Sequence, residues 1–263
     1  MPITIATWNI NSVRLRAGLV ARFLTDEAPD ILCLQETKSP VDKIPHAVFA
    51  ELGYGHMVAR GEKGYNGVAI LSRLPIEDAG AIDWCAKGDA RHVAARLPGG
   101  VVLHNLYIPA GGDEPDRAIN PKFGHKLDFL DQLARWGEGL GDPAILVGDL
   151  NIAPLEDDVW SHRQLLKVVS HTPVEVERLA RAQGEGGWTD VTRSHIPAPE
   201  KLYSWWSYRA RDWAEADRGR RLDHIWSRGG VPAVPGSSRI LRDWRGAEQP
   251  SDHVPVLAAF EIG

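Results

Sequence analysis

The sequence predicts an α/β protein in which two packed β-sheets are covered by helices on their outer faces. Strand-like segments outnumber helical ones, and many of the strands are short and apolar. Such strands are buried on both faces, and packing one sheet on the other with helices outside buries them. No Pro/Gly/Ser-rich linker or charged block divides the 263 residues, so we expect a single domain over residues 1–263.

Composition narrows the class of protein. The chain is 43% hydrophobic and 25% charged, which is typical of a globular protein. Its two cysteines, Cys33 and Cys85, are too few for a disulfide framework or a thiolate zinc site and indicate a reducing interior. The net charge of -5 means that nucleic-acid binding would require a local basic patch. No apolar run has membrane-spanning length, and the N-terminus lacks a signal-peptide pattern, so we expect no membrane association.

In the first half of the chain, runs of apolar residues predict a series of strands and one helix. The helix follows Ser12 as its N-cap, with Val13, Leu19 and Phe23 at roughly helical spacing, and Pro29 closes it. A Pro-Gly-Gly turn at 98–100 predicts a hairpin between the last two strands. The predicted strands cover residues 3–8, 31–34, 57–59, 68–72, 91–97 and 101–108.

In the second half, Pro121 begins a predicted helix marked by Phe123, Leu127 and Leu130. The four apolar residues at 144–147 predict a buried strand that stops at a Gly-Asp turn. A helical or irregular stretch follows and includes residues 174–180. The remaining predicted strands cover residues 203–208, 221–226 and 254–260.

Polar side chains follow the ends of these strands, which predicts one shared rim. The clusters are Asn9, Glu36, Tyr107, Asp149 with Asn151, and Asp252 with His253, while Asp223 lies inside an apolar strand. Asn-Ile-Asn at 9–11 and Asp-Leu-Asn at 149–151 suggest two similar halves that face each other. Taken singly, each cluster also has an ordinary structural interpretation. Asp-Leu-Asn is then a turn that bonds its own backbone, Glu36 a salt bridge to Lys38, and the histidine a structural residue.

Taken together and in order, five motifs resemble the motif series of exonuclease III-type apurinic/apyrimidinic endonucleases, members of the endonuclease/exonuclease/phosphatase superfamily. The resemblance covers essentially the whole chain and implies a four-layer sandwich of two packed mixed β-sheets flanked by helices, the DNase I-like fold. The motifs are Thr7-Trp8-Asn9-Ile10-Asn11, Leu34-Gln35-Glu36-Thr37-Lys38, Gly148-Asp149-Leu150-Asn151, Arg221-Leu222-Asp223 and Ser251-Asp252-His253-Val254-Pro255-Val256.

The resemblance implies a DNA-repair phosphodiesterase that incises 5′ to abasic sites, leaving a 3′-hydroxyl and a 5′-deoxyribose phosphate. It also implies 3′→5′ exonuclease and 3′-phosphatase or phosphodiesterase side activities. The expected partner is double-stranded DNA with abasic sites or blocked 3′ ends. We expect a monomer in the cytoplasm, held at the nucleoid through DNA.

The resemblance also implies a divalent cation, Mg²⁺ with Mn²⁺ as the alternative. Mg²⁺ prefers carboxylate and water oxygens, so Glu36 is the expected ligand. Asn9 is expected to add an amide oxygen or hold a metal-bound water, and Asp252 to assist.

For catalysis, the resemblance pairs His253 with Asp223, a partner that fixes the imidazole tautomer and favours its charged form. This pair is expected to orient or polarise the phosphate. Asp149 then activates the water, Asn151 places that water or an adjacent oxygen, and Tyr107 hydrogen-bonds the phosphate. The division of labour between Asp149 and His253 stays open at this point.

One stretch supplies the local basic patch. Residues 201–228 carry seven basic and four acidic side chains beside several aromatic ones, which suits a surface that grips phosphates and stacks on an unpaired base or sugar. The alternative is a solvated loop beside core aromatics. In relatives the position of Trp205 lines the pocket for the flipped-out sugar. Arg91 and Lys38 are further candidates for DNA contacts. Arg220 stands where some relatives have a bulky apolar pocket residue, and Ala110 where many have Gln or Asn.

Two other functions compete with this one. A nucleic-acid-binding regulator would keep the fold without the reaction, but a binder does not need the whole set of catalytic residues. A phosphatase for inositol phosphates or lipids would use the same chemistry, but the basic-aromatic stretch favours DNA.

Overall fold

The computed structural model describes residues 2–141 and 143–262, and in this part of the chain the strands form two six-stranded sheets and a two-stranded ribbon. In chain order the strands are β1 (Ile3–Asn9), β2 (Ile31–Gln35), β3 (His56–Arg60), β4 (Val68–Ser72), β5 (Glu77–Gly80), β6 (His92–Arg96), β7 (Val102–Tyr107), β8 (Ala144–Asp149), β9 (Thr189–Asp190), β10 (Trp205–Trp206), β11 (Gly219–Arg220), β12 (Asp223–Arg228), β13 (Arg239–Ile240) and β14 (Val256–Phe260). The α-helices are α1 (Ala17–Asp26), α2 (His46–Glu51), α3 (Pro121–Glu138), α4 (His162–Leu165), α5 (Pro173–Glu185), α6 (Val191–His195) and α7 (Trp213–Ala216).

The two six-stranded sheets have related topologies. The first has the order β13-β14-β1-β2-β4-β3, and the second has the order β5-β6-β7-β8-β12-β9. In the first, β1 runs parallel to β2 and antiparallel to β14. In the second, β8 runs parallel to β7 and antiparallel to β12. Both sheets are therefore mixed, which confirms the predicted fold class.

Apolar side chains fill three layers of core. Between the sheets lie residues such as Ile5, Ile70 and Val147. Phe23 packs in a second cluster between the first sheet and α1, and Phe129 in a third between the second sheet and α3. Each such side chain contributes about 1.5–3 kcal/mol when fully buried. Among the described residues, no helix combines the length and apolar character needed to cross a bilayer.

The two long helices on the second sheet begin with recognisable caps. The Asn120 side chain accepts a hydrogen bond from the Lys122 backbone N–H (3.0 Å), and Pro121 occupies the first turn of α3. Thr172 and Glu175 form a capping box at the start of α5.

The structure corrects the predicted start of α1. This helix begins at Ala17 with Arg16 at the N-cap, and Ser12 lies outside it with φ +86°. The backbone amides of Ile10, Ser12 and Val13 instead donate to carbonyls of residues 35–37. Because these bonds extend the pairing of β1 with β2 beyond the strands, the helix cannot start at Ser12. It ends at Asp26, before Pro29.

Three strands predicted in the second half have different bounds in the structure. The aromatic run 203–208 contains only the two-residue strand β10, because its backbone amides donate to two different segments, Ser204 to Arg220 O and Trp206 to Asp252 O. β12 begins at Asp223 instead of residue 221, and β14 begins at Val256 instead of residue 254. β5 was not predicted, since it is a polar edge strand with mostly exposed side chains.

Candidate active site

Four strand ends meet at one edge of the two sheets. Asn9 and Glu36 mark the ends of the parallel strands β1 and β2, and Tyr107 and Asp149 are the last residues of the parallel strands β7 and β8. The buried Asn9 amide joins the two sheets, because its Nδ2 donates to Glu36 Oε1 (3.0 Å) and to Asp149 Oδ2 (2.9 Å). The two similar halves that the sequence suggests therefore face each other through these side chains.

A buried aspartate–histidine–aspartate arrangement lies at the centre of this edge. Asp223 begins β12 directly opposite Asp149 in the antiparallel register. His253 Nδ1 is 2.8 Å from Asp223 Oδ2, and His253 Nε2 is 3.7 Å from Asp149 Oδ2. The Trp8 indole N–H donates to the His253 carbonyl (3.0 Å), which fixes the segment that carries the imidazole.

The charges of these three groups follow from their burial and their proximity. Burial raises the pKa of Asp149 to about 7, against the opposing charge of His253. Burial also acts to lower the pKa of His253, but the Asp223 and Asp149 carboxylates raise it to about 10. At neutral pH His253 is therefore an imidazolium that donates a hydrogen bond to Asp223 and faces Asp149 with its other nitrogen.

Asn151 is held by a turn that starts at Asp149. The Asn151 backbone N–H donates to Asp149 Oδ1 (2.9 Å), and its Nδ2 donates to Asp149 Oδ2 (3.1 Å) and Ile108 O (2.9 Å). Its φ of +54° is one that asparagine tolerates better than most residues. Asp-Leu-Asn therefore does form the backbone-bonded turn of the structural interpretation, and that turn places both side chains at the cleft described below.

A buried ion pair supports this turn from below. Lys126 on α3 and Glu175 on α5 are both fully buried, with Nζ 2.5 Å from Oε1. Lys126 Nζ also donates to the carbonyls of Asn151 (2.8 Å) and Ala110 (3.3 Å). Glu175 accepts from the backbone N–H groups of Ser170 and Thr172. The pair thereby joins two segments of the cleft wall.

Glu36 is the least buried carboxylate of the central group, with 19% of its side chain exposed. Burial acts to raise its pKa, but the Lys38 charge and hydrogen bonds from Asn9, Lys38 and Tyr107 lower that pKa below its ordinary value. The Tyr107 hydroxyl donates to Oε1 (2.8 Å), and Lys38 Nζ is 2.7 Å from Oε2. The predicted Glu36–Lys38 salt bridge is thus present, and an ionised hard-oxygen ligand faces the cleft.

These groups open into one cleft of ≈ 570 Å³. Its lining combines carboxylates, the His253 imidazole and the Asn151 amide with indoles, arginines and small side chains. The lining residues are Glu36, Ala110, Gly112, Asp113, Asp149, Asn151, Trp160, Val168, Val169, Ser170, Trp205, Ser207, Arg209, Arg218, Arg220, Leu222, Asp252 and His253.

The remaining predicted residues divide into two groups. Trp205, Arg220 and Asp252 line the cleft, and the Trp205 indole N–H donates to Asp252 Oδ2 (2.9 Å). Lys38 lies beside Glu36. Arg91 and Tyr107 are not among the lining residues. Arg91 pairs with the Asp89 carboxylate and stacks 4.9 Å from the Tyr107 ring centroid, so it supports the tyrosine that orients Glu36.

The sequence did not identify several residues that line or support the cleft. Ser170 and Trp160 line the cleft, and the pair Lys126–Glu175 supports it. The only local signal was the Thr172-Pro-Val-Glu175 capping box, which marks a helix start but not a cleft.

Members of one known protein family are similar to this chain in sequence and in structure. A model of the endonuclease/exonuclease/phosphatase family matches residues 6–253. An exodeoxyribonuclease III from Haemophilus influenzae is 29% identical, over 97% of this chain and 98% of its own length. The structure of an AP endonuclease from Archaeoglobus fulgidus superposes with a TM-score of 0.90 at 33% identity, covering 99% of this chain and all of that one. A 3′ phosphatase from Neisseria, bound to a product DNA hairpin, gives a TM-score of 0.87 at 31% identity, covering 98% and 99%.

Proposed function

Because the chain belongs to the endonuclease/exonuclease/phosphatase family, we propose that it is a Mg²⁺-dependent DNA-repair nuclease. It hydrolyses the phosphodiester bond 5′ to an abasic site in double-stranded DNA and leaves a 3′-hydroxyl and a 5′-deoxyribose phosphate. The observation that carries this proposal is the convergence of Asp149, His253, Asn151 and Glu36 on one cleft next to arginines and indoles, with Asp223 bonded to His253.

The protonation states assign roles to the two central residues. Hydrolysis needs a base for the attacking water and positive charge on the phosphate oxygens. A protonated His253 cannot accept a proton, so it donates a hydrogen bond to the phosphate and stabilises its developing charge. Asp149, with a pKa of about 7, accepts the proton of the water. Asn151 places that water, and Asp223 keeps His253 charged.

The donor set at Glu36 fits a hard divalent cation. Its carboxylate is ionised, partly exposed and 2.7 Å from the Lys38 ammonium, so this oxygen already faces a positive charge. Glu36 would hold the ion, and Asp252 assists. Asn9 instead orients Glu36, since its own Oδ1 accepts the Asn11 backbone N–H (3.1 Å). When bound, Mg²⁺, or Mn²⁺ in its place, neutralises charge on the phosphate.

The relatives suggest further substrates. One is named an exodeoxyribonuclease III and another a 3′ phosphatase. We extend 3′→5′ exonuclease and 3′-phosphatase or phosphodiesterase activity to this chain, on DNA with blocked 3′ ends. Trp205 and Arg220 contact the DNA, Lys38 contributes a further backbone contact, and Arg91 acts through Tyr107. The chain works as a monomeric single domain in the cytoplasm, at the nucleoid.

Cleavage of an end-labelled duplex with one abasic analogue tests the proposal. We expect incision in Mg²⁺, none in EDTA, and a loss of at least about 10³-fold in Asp149→Asn. The exposed Asp42→Asn, at a carboxylate paired with Lys43, is the matched control and should cut normally. Undamaged duplex, 3′-phosphate duplex and inositol phosphates run in parallel. Intact abasic duplex at enzyme excess would refute the proposal, binding without turnover would favour the regulator, and faster hydrolysis of inositol phosphates would favour the phosphatase.

A further inference from the structure

Two adjacent arginines, at the end of β11 and directly after it, have opposite surroundings. Arg221 is buried and pairs with the carboxylates of Asp158 (2.9 Å) and Asp190 (2.8 Å). Arg220 has no carboxylate partner among the described residues. Its Nη1 donates to two neutral oxygens, Val169 O (3.1 Å) and Ser170 Oγ (2.7 Å).

Arg220 therefore has unused capacity for an anion. Its Nε is buried and has no hydrogen-bond partner within residues 2–141 and 143–262. Burial lowers the pKa of its guanidinium, because a cation removed from water and left unpaired is costly. The nearest opposing charge, Glu175, is already neutralised by Lys126.

Backbone pairing connects Arg220 to the catalytic histidine through a single residue, Trp205. Arg220 pairs with Trp205 in the β10–β11 ribbon, and Trp205 in turn bridges to His253. The Arg220 guanidinium lies over the Trp205 ring, 5.2 Å from its centroid. Arg220 thus lines the same cleft as His253, with only Trp205 between them in the order of paired strands, within reach of a group attached to the scissile phosphate.

A second cation lines the same cleft. Arg218 stacks over Trp160, 4.8 Å from the ring centroid, and has no carboxylate partner among the described ion pairs. Apart from Glu36, Asp149 and Asp252, the exposed Asp113 is the one acidic side chain in the described lining set. A pocket for a neutral sugar needs apolar walls and a few hydrogen bonds, whereas two unpaired guanidiniums suit an anion.

Resting on the proposed function, we propose that Arg220 turns this pocket into a carboxylate subsite. It selects DNA 3′ ends whose scissile phosphate is esterified to an anionic fragment, such as 3′-phosphoglycolate, over a neutral group in the same place. In the reaction, water adds to phosphorus and the bond between phosphorus and the 3′ oxygen breaks. The 3′ oxygen takes a proton, and phosphoglycolate leaves while its carboxylate is held by the guanidinium.

The test compares kcat/KM on three duplexes, which carry a 3′-phosphoglycolate end, the neutral glycolamide end, or an internal tetrahydrofuran abasic analogue. We expect the wild type to prefer the carboxylate to the amide by about tenfold or more, as one charge-assisted hydrogen bond supplies. Arg220→Met should remove this preference, so that its kcat/KM on the carboxylate and on the amide become equal within about threefold, whatever its absolute rates. Arg220→Lys should retain part of it. The exposed Arg117→Met, at an arginine paired with Asp128, should keep all of it.

Equal wild-type rates on carboxylate and amide would overturn the subsite, and this comparison does not depend on the folding of any variant. A preference that persists in Arg220→Met would overturn it as well. In either case incision of the tetrahydrofuran duplex by the wild type would leave the proposed function standing. If the wild type cuts none of the three duplexes, the proposed function fails, and the subsite fails with it.

Discussion

Replacing Lys126 by methionine should destabilise the protein and disturb the active-site turn together. The methionine side chain has a similar length and shape but no charge. The substitution removes the ammonium group, whose Nζ lies 2.5 Å from Glu175 Oε1. The fully buried Glu175 carboxylate is then left without its counter-ion. The carbonyls of Asn151 and Ala110 also lose a donor.

The magnitude follows from these lost contacts. Breaking a buried ion pair by removing one partner costs about 3–5 kcal/mol. Glu175 keeps hydrogen bonds from Ser170 N, Thr172 N and Thr172 Oγ1, which places the cost of Lys126→Met near about 3 kcal/mol. Glu175→Gln should cost as much or more, because Lys126 then faces only neutral oxygens. The double variant should recover about 2 kcal/mol relative to the sum of the single variants.

Urea unfolding followed by tryptophan fluorescence measures these free energies. The matched control is Lys122→Met, at an exposed lysine of the same helix, and its free energy of unfolding should lie within about 0.5 kcal/mol of the wild-type value. Incision should also fall in Lys126→Met at temperatures where it is folded, because the Asn151 segment loses its tether. A cost below about 1 kcal/mol, or strictly additive single costs, would refute the account of this pair.

Three further predictions concern charge and backbone. Asp223→Asn removes the charge that keeps His253 protonated, so the rate of incision should fall about 100-fold or more. The alkaline limb of the pH–rate profile should also move below pH 10. An unchanged alkaline limb would contradict this. Burial lowers the pKa of His104 from 6.5 to about 4. The unfolded state therefore takes up the proton first, and stability present above pH 6.5 is lost as pH falls toward 4, by about 3 kcal/mol. Unfolding of His104→Gln between pH 7 and pH 4 should show a correspondingly smaller loss, and an identical loss would argue against this. Gly148→Ala would place a Cβ 1.9 Å from Leu106 O at a residue with φ +143°. The melting temperature should therefore fall by several degrees, for a cost of about 1–3 kcal/mol in the free energy of unfolding. An unchanged melting temperature would show that the strand can relax.

Much of the fold was predictable because short apolar strands report their own burial. The strand 144–147 and the turn at Asp149 are visible in the sequence, since four apolar residues stop at Gly-Asp. The start of α1 was not predictable from the sequence. It depends on the hydrogen bond from Ser12 N to Glu36 O, a partner that no local pattern specifies. Strand ends are local features, whereas the pairings between strands are not.

The candidate site shows the same division. The residue types at the strand ends suggested Glu36, Asp149 and His253, which the structure brings to one cleft. Lys126 lies in a helix where a lysine usually indicates an exposed face, and its burial depends on Glu175, 49 residues further along the chain. Arg91 was assigned to DNA from its charge alone, and its packing on Tyr107 arises only in three dimensions.

The central claim is that Asp149 and His253 act as one unit on a single phosphate. Incision of the abasic duplex by Asp149→Asn, His253→Asn and the double variant tests this most directly. We expect each single change to lower kcat by at least about 10³-fold, and the double variant to be no more than about tenfold worse than the poorer single variant. A single variant with near-wild-type kcat, or losses that multiply in the double variant, would contradict it.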